Sequence, residues 1–260
     1  MADGIETGML QGIAVWTLNR QDRSNAFDKS MVQRLHQLAE NARNDSTIRA
    51  VIITGAGDKV FCAGADLKER LGLSLSQVND LLDLYRKAFD AIDAMPVPVV
   101  AALNGGAFGG GLELALAADF RVAVPHAQLG LPETSLGIIP GAGGTQRLPR
   151  LIGQARAKEL IVFARRISAQ AALDIGLLNR LAAQGQTALE CALEYLAPLQ
   201  ELGPLAVRAA LQAIDRGAGL DLNAALDVER QCYQLTLNSQ DRLEALKAFK
   251  AKRKPAFKGR

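Results

Sequence analysis

Apolar positions follow two rhythms up to about residue 145 of this chain and a single rhythm afterwards. Gly12 to Leu18 and Ala50 to Thr54 are apolar runs of strand length that end in turn-forming residues, Asn19 to Asn25 and Gly55. Val97–Leu103, Phe120–Val124 and Ala127–Leu131 read as three further strands. Between them lie helical periods. Asp28 caps a helix running to about Asn44, with Met31, Leu35, Leu38 and Ala42 on one face. Ser74 and Gln77 form a capping box ahead of a helix carrying Val78, Leu81, Leu82, Tyr85, Phe89 and Ile92, which Pro96 and Pro98 stop. After Thr145 the texture is helical almost throughout, with glycine at joints such as Gly153, Gly176, Gly185 and Gly203. Thr187 with Glu190 and Asp241 with Glu244 supply capping pairs there. The pattern predicts an α/β core over residues 1–190 and a helical region over residues 191–260.

Composition narrows the class. With 260 residues, 49% hydrophobic and 22% charged, the chain can bury a sizeable core and has ordinary globular composition. A net charge of +3 demands neither nucleic acid nor an anionic membrane. Cys62, Cys191 and Cys232 are odd in number and widely spaced, which fits a reducing, cytoplasmic setting and neither a metal site nor a disulfide framework. Met1 to Thr7 lacks the pattern of a signal peptide, and no apolar run reaches the ~18 residues of a membrane span. His36 and His126 are the only histidines, and no G-x-S-x-G elbow is present, which argues against a Ser-His-Asp hydrolase.

The chemistry concentrates in residues 104–144. Asn104-Gly105-Gly106-Ala107-Phe108-Gly109-Gly110-Gly111-Leu112-Glu113 leads into a short Leu/Ala-rich helix, predicted over Leu112–Ala118, and Pro132-Glu133 and Gly141-Ala142-Gly143-Gly144 follow. Consecutive glycines let the backbone approach a ligand, and free N–H groups at a helix start can hold a developing oxyanion. Glu113 and Glu133 beside such donors point to acid/base chemistry next to a polarised carbonyl. Neither G-x-G-x-x-G nor G-x-x-x-x-G-K-[ST] threads through these glycines, so no nucleotide-binding loop is read here. Cys62 reads as a small buried residue, because no His or Asp partner stands near it.

Phe61-Cys62-Ala63-Gly64-Ala65-Asp66-Leu67-Lys68-Glu69, the glycine segment 104–118, and Pro132-Glu133 with Leu136 to Leu148 resemble, in order and separation, three segments of the enoyl-CoA hydratase/isomerase (crotonase) superfamily. The extended Phe61 to Arg70 run and the Asp241-Arg242-Leu243-Glu244 ending resemble most the branch of 3-methylglutaconyl-CoA hydratase, which includes an AU-rich RNA-binding relative. The resemblance implies a spiral core of repeated ββα turns and a C-terminal helical trimerisation region, two trimers often forming a hexamer. It implies an acyl-CoA thioester as substrate, with coenzyme A arriving as part of that substrate and no separate cofactor or metal. It assigns catalysis to Glu113, which holds and activates water, and Glu133, which exchanges the α-carbon proton. The oxyanion donors would be the N–H groups of Ala65 and Gly110. It places Arg23, Ser24, Ala26, Ala63, Asp66, Leu67, Lys68, Gly109, Pro132 and Gly141 along the substrate, and Phe249 and Lys252 at the adenine and phosphate end. From the residues alone, Asp66 and Lys68 equally suit capping or solvating the loop.

Three alternatives compete with hydration. Double-bond isomerisation on the same fold needs one base, so the presence of both glutamates favours hydration. An RNA-binding role would use a comb of lysines on the first helix, but the matching row is Lys29, Gln33 and Gln37, with Arg34 and Arg43 off the row. RNA is therefore not expected as a partner. No nucleophilic carboxylate replaces the pair as a thioester hydrolase or dehalogenase would require.

Overall fold

The computed structural model of the chain describes residues 4–260, so part of the Met1–Thr7 reading lies outside the described residues. In chain order the elements are β1 (Ile5–Leu10), β2 (Ile13–Leu18), α1 (Lys29–Arg43), β3 (Ala50–Gly55), β4 (Val60–Cys62), α2 (Leu67–Leu71) and α3 (Leu75–Asp93). Next come β5 (Val99–Leu103), β6 (Gly106–Phe108), α4 (Gly110–Leu116), β7 (Phe120–Ala123), β8 (Gln128–Gly130), α5 (Gly144–Ile152), α6 (Gln154–Val162), β9 (Arg166–Ser168) and α7 (Ala169–Asp174). The chain finishes with β10 (Arg180–Leu181), α8 (Ala188–Leu196), α9 (Pro204–Gly217), α10 (Leu222–Leu237) and α11 (Gln240–Lys250). Two compact units result: residues 4–95 with 99–194, and residues 96–98 with 195–260.

The first unit holds both sheets. A six-stranded sheet runs β1-β2-β3-β5-β7-β10, parallel except for the β1–β2 hairpin, and a four-stranded sheet runs β4-β6-β8-β9. Successive strands alternate between them, β3 then β4, β5 then β6, β7 then β8, so each turn of chain adds one strand to each sheet before a helix returns. This is the expected ββα spiral. Every residue of β3 and β5 is buried, which is why those segments read as unbroken apolar runs.

The helices start where the sequence places them. Asp28 accepts the Met31 N–H at the start of α1, and Ser74 and Gln77 exchange both bonds of a capping box at α3. Buried Tyr85 and Phe89 of α3 meet Phe27 edge-on, with centroids 5.9 and 6.2 Å from that ring.

Two strands were not expected from the sequence, and two expectations need correction. β1 shows no apolar alternation, since only Ile5 of its six residues is buried; it forms because Gln11 and Gly12, both with positive φ, turn it back onto β2. β6 hides in the glycine segment, where its partners in the ladder are β4 and β8. β9 and β10 interrupt the region read as helical after Thr145. Thr187 and Glu190 of the first unit do cap α8 reciprocally, but in the second unit Asp241 does not cap α11. Ser239 takes that position, accepting the Arg242 N–H, while the buried Asp241 carboxylate receives the N–H groups of Lys258 and Gly259 at 2.6 and 2.8 Å. Two residues made the difference: the serine sits where the backbone is still extended, and the aspartate is already inside the helix.

A buried polar knot fixes the loops that follow β2, β3 and β5. Asn104 accepts the Gly55 N–H through Oδ1 at 2.9 Å and donates through Nδ2 to the carbonyls of Gly57 and Val60. Asn25, 1% exposed, accepts the Arg20 N–H and donates to the carbonyls of Ala56 and Val60. Replacing Asn104 by alanine strands these groups out of water, and each buried unpaired group costs about 1–3 kcal/mol. Urea denaturation of Asn104→Ala is therefore expected to show a loss of about 2–3 kcal/mol, well beyond the effect of a surface change.

Candidate active site

Loops of the small sheet and the starts of two helices enclose a cavity of about 120 Å³ in the first unit. One wall is the segment after β4. Gly64 has φ of +94°, and a side chain there would lie 2.9 Å from the Phe108 carbonyl oxygen, so only glycine allows the two strands this approach. Phe27 pairs with Ala65 as an isolated parallel bridge, its N–H donating to the Gly64 carbonyl while its own carbonyl accepts from Asp66. In such a bridge the N–H of Ala65 points away from the partner strand.

The facing wall is the start of α4, which begins at Gly110, two residues earlier than the apolar pattern indicates. Gly111 lets that helix lie directly on β4, since a side chain there would collide with the Cys62 carbonyl oxygen. The first intrahelical bond runs from the Glu113 N–H to the Gly109 carbonyl, leaving the Gly110 N–H without a partner in the helix. A carbon added at Gly110 would sit 3.7 Å from the Ala65 nitrogen, so these two N–H groups are neighbours. Among the described residues neither donates to another protein group.

Both carboxylates line the same cavity. Glu113, 3% exposed, accepts the N–H groups of Ala142 and Gly144 on one oxygen, each at 2.8 Å. Burial raises its pKa, and those two backbone bonds oppose the rise. Glu133 is 9% exposed and its Oε2 has no partner. Burial lifts its pKa to about 7, the negative charge of Glu113 adding to the effect and Arg70 reducing it. One carboxyl is tied down by main-chain donors and the other is poised near neutrality, which is the pairing that proton transfer requires.

The structure brings Ala63, Ala65, Leu67, Gly109, Gly110, Pro132 and Gly141 to this cavity with the two glutamates. Ser24 lies next to it, its carbonyl accepting the N–H of the lining residue Ala63 at 3.1 Å, and Arg23 and Ala26 flank Ser24 in the chain without lining the cavity. Asp66 does not line this cavity; its carboxylate caps α2 through the N–H groups of Lys68 and Glu69 and pairs with Arg20 at 3.2 Å, which holds the loop. Lys68 is exposed in the first turn of α2. Phe249, 86% exposed, and Lys252 belong to the second unit. Burial pushes the Cys62 thiol up to about 12, which removes it as a nucleophile at neutral pH. Sequence reasoning missed Arg20, which bonds the Ala26 carbonyl and pairs with both Asp28 and Asp66, tying the β2–α1 loop to the loop after β4. It also missed Arg70 and Tyr85 as cavity residues. The 3.6-residue period of α3 marked Tyr85 as core, and nothing in the pattern distinguishes a core tyrosine from one whose hydroxyl meets a cavity.

Two free backbone N–H groups facing a carboxylate pair, on a ββα spiral, define a proton-transfer site able to stabilise an enolate oxygen. The chain matches the enoyl-CoA hydratase/isomerase family over residues 8–260, and it belongs to that family. It is 44% identical over 252 residues to human mitochondrial methylglutaconyl-CoA hydratase, covering 96% of this chain and 74% of that one. It is 43% identical over 259 residues to enoyl-CoA isomerase/hydratase fer4 of Mycosarcoma maydis, covering 96% and 94%. The crystal structure of enoyl-CoA hydratase from Bacillus anthracis superimposes with a TM-score of 0.95 at 45% identity, covering 99% of this chain and all of that one.

The charge coupling is directly measurable. A carboxyl-carbon NMR titration of Glu133 is expected to give a midpoint near 7, and Glu113→Gln should lower it by removing a neighbouring negative charge. An unmoved midpoint would show that the two carboxylates do not sense each other.

Proposed function

We propose that the protein is an enoyl-CoA hydratase, adding water across the double bond of a 2-enoyl-CoA thioester. The observation that carries this reading is the convergence of the Ala65 and Gly110 N–H groups with Glu113 and Glu133 on one cavity. The thioester oxygen takes the two N–H donors, which polarises the double bond and stabilises the enolate that forms. Ionised Glu113 accepts a proton from water as its oxygen bonds to the β carbon. Protonated Glu133 delivers a proton to the α carbon, and the enolate collapses to the saturated 3-hydroxyacyl thioester. Glu113 has gained a proton and Glu133 has lost one, so the pair carries one proton before and after. Each oxyanion donor is worth about 2.7–4 kcal/mol of barrier in comparable sites.

Hydration is preferred to isomerisation because two buried carboxylates share the cavity, while a proton shuttle needs one. Coenzyme A would run along Arg23, Ser24, Ala26 and Ala63, with Phe249 and Lys252 reaching its nucleotide from a neighbouring chain. Leu222, Leu226 and Leu235 on α10 are exposed, which supports self-association of the helical region as a trimer or hexamer. The three cysteines are unpaired and buried, in keeping with a reducing cytoplasm.

Loss of the conjugated thioester absorbance reports the reaction. Glu113→Gln and Glu133→Gln should each slow hydration by ~10²–10⁴ without unfolding the protein, and the double variant should fall far short of the product of the two losses. Turnover at the unsubstituted rate in either single variant overturns the assignment.

The pH dependence is equally specific. Hydration and dehydration both need the singly protonated pair, so their kcat/KM profiles must superimpose as one bell. The alkaline limb falls as pH rises through about 7, where Glu133 loses its proton, and the acid limb marks protonation of Glu113. A profile level from pH 6 to pH 9 would exclude Glu133 as the proton carrier.

A further inference from the structure

We infer that Thr134 is the positioning residue for Glu133: its hydroxyl fastens the turn that carries this carboxylate to the C-terminal end of α6, and so sets where the transferred proton is delivered. The inference rests on the hydratase reading, in which Glu133 carries that proton. The two glutamates of the site are held very differently. Glu113 stands inside α4 and accepts two main-chain N–H groups. Glu133 opens a 3-10 turn, Glu133–Leu136, and among the described residues no hydrogen bond joins its carboxylate to another residue. Its position is therefore whatever the turn dictates. A 3-10 turn this short has few bonds, of poorer geometry than an α-helix, with which to hold itself rigid.

Most bonds of the turn are internal. Ser135 donates through both its N–H and its hydroxyl to the Pro132 carbonyl, and the N–H groups of Gly137 and Ile138 donate back to Thr134 and Glu133. Thr134 reaches out: its Oγ1 lies 2.8 Å from the Ile161 carbonyl oxygen and 3.5 Å from that of Val162. Among the described residues no other hydrogen bond leaves residues 132–138. Those two carbonyls close the last turn of α6, where helix acceptors have capacity for a side-chain donor. The end of α6 is itself fixed. The Arg165 N–H returns to the Leu160 carbonyl, and β9 then pairs with β8, the strand that leads into the Glu133 turn. The Thr134 bond thus closes a ring of chain, from β8 through the turn to α6 and back by β9. On the cavity side, a carbon added at Gly109 would come within 3.1 Å of Glu133 Oε1, so the carboxylate is seated against the backbone ahead of α4. Slackening the turn opens that seat to water.

The test uses Thr134→Val, which keeps the shape of the side chain and deletes the hydroxyl, and Thr134→Ser, which keeps the hydroxyl. Thr134→Val should lower kcat for hydration about 10- to 10²-fold, the scale of a misplaced reacting group, with KM little changed. Thr134→Ser should retain most of the rate. The second readout is the Glu133 carboxyl midpoint by carboxyl-carbon NMR, which needs no turnover. Water reaching the carboxylate relieves the burial that raises its pKa. The midpoint should therefore fall from about 7 towards the ordinary carboxylate range in Thr134→Val and hold in Thr134→Ser. The groups that face Glu133 across the cavity, Glu113 of α4, Arg70 of α2 and Tyr85 of α3, are intact in both variants, so a shift reports movement of the turn. The alkaline limb of kcat/KM should move to lower pH with it. Thr134→Ala takes the place of the valine variant if that one does not fold. An unmoved midpoint, or kcat equal to that of the unsubstituted protein, overturns the inference, whatever the change in stability. So does a serine variant as impaired as the valine one. Full turnover in Glu133→Gln, or no hydration by the unsubstituted protein, overturns the hydratase reading instead, and the midpoint alone then decides whether Thr134 anchors the turn.

Discussion

Two peptide N–H groups held a few ångströms apart with no acceptor are a liability in any protein interior, and the first unit is organised around keeping them so. Left to relax, the segment after β4 and the start of α4 would turn these donors towards nearby carbonyls. Each is prevented by a different means. Ala65 is pinned by the bridge to Phe27, which fixes the direction of its N–H. Gly110 is fixed because α4 lies on β4 through Gly111, with no room to rotate. Behind both stand the amide knots of Asn25 and Asn104 and the ion pairs of Arg20, which leave the loops no second arrangement. In the proposed mechanism the donors therefore meet a developing negative charge already aligned, and reorganisation at the moment of reaction is small.

Much of this was legible in the order of residues, for reasons that can be stated. Continuous apolar runs gave β2, β3 and β5 because strands buried on both faces have no polar side to alternate with. Capping pairs gave the starts of α1 and α3 because an N-terminal turn has only a few ways to satisfy its N–H groups. The carboxylates and glycines of the site stood out because their chemistry is written in residue type. What escaped was whatever depends on a partner distant in sequence. β6, β9 and β10 are strands only because neighbouring strands reach them. Asp66 has the same composition whether it faces a ligand or a helix end, and Arg20 decides the matter from 46 residues away.

The division of labour between the two glutamates also follows from the backbone. Glu133 stands in a short 3-10 turn with one oxygen unpartnered, so its proton is free to come and go. Glu113 is built in, and its attachment has an evolutionary consequence. One of its two oxygens receives the N–H groups of Ala142 and Gly144, so in the proposed mechanism the carboxylate is at once a reagent and the peg on which that turn hangs. If the proposed hydration is the activity, a lineage that abandoned it could not simply lose this side chain. It would first have to supply a new acceptor for two buried N–H groups, which glutamine offers and alanine does not. Drift towards other chemistries on this scaffold is thereby channelled through replacements that keep an oxygen at position 113.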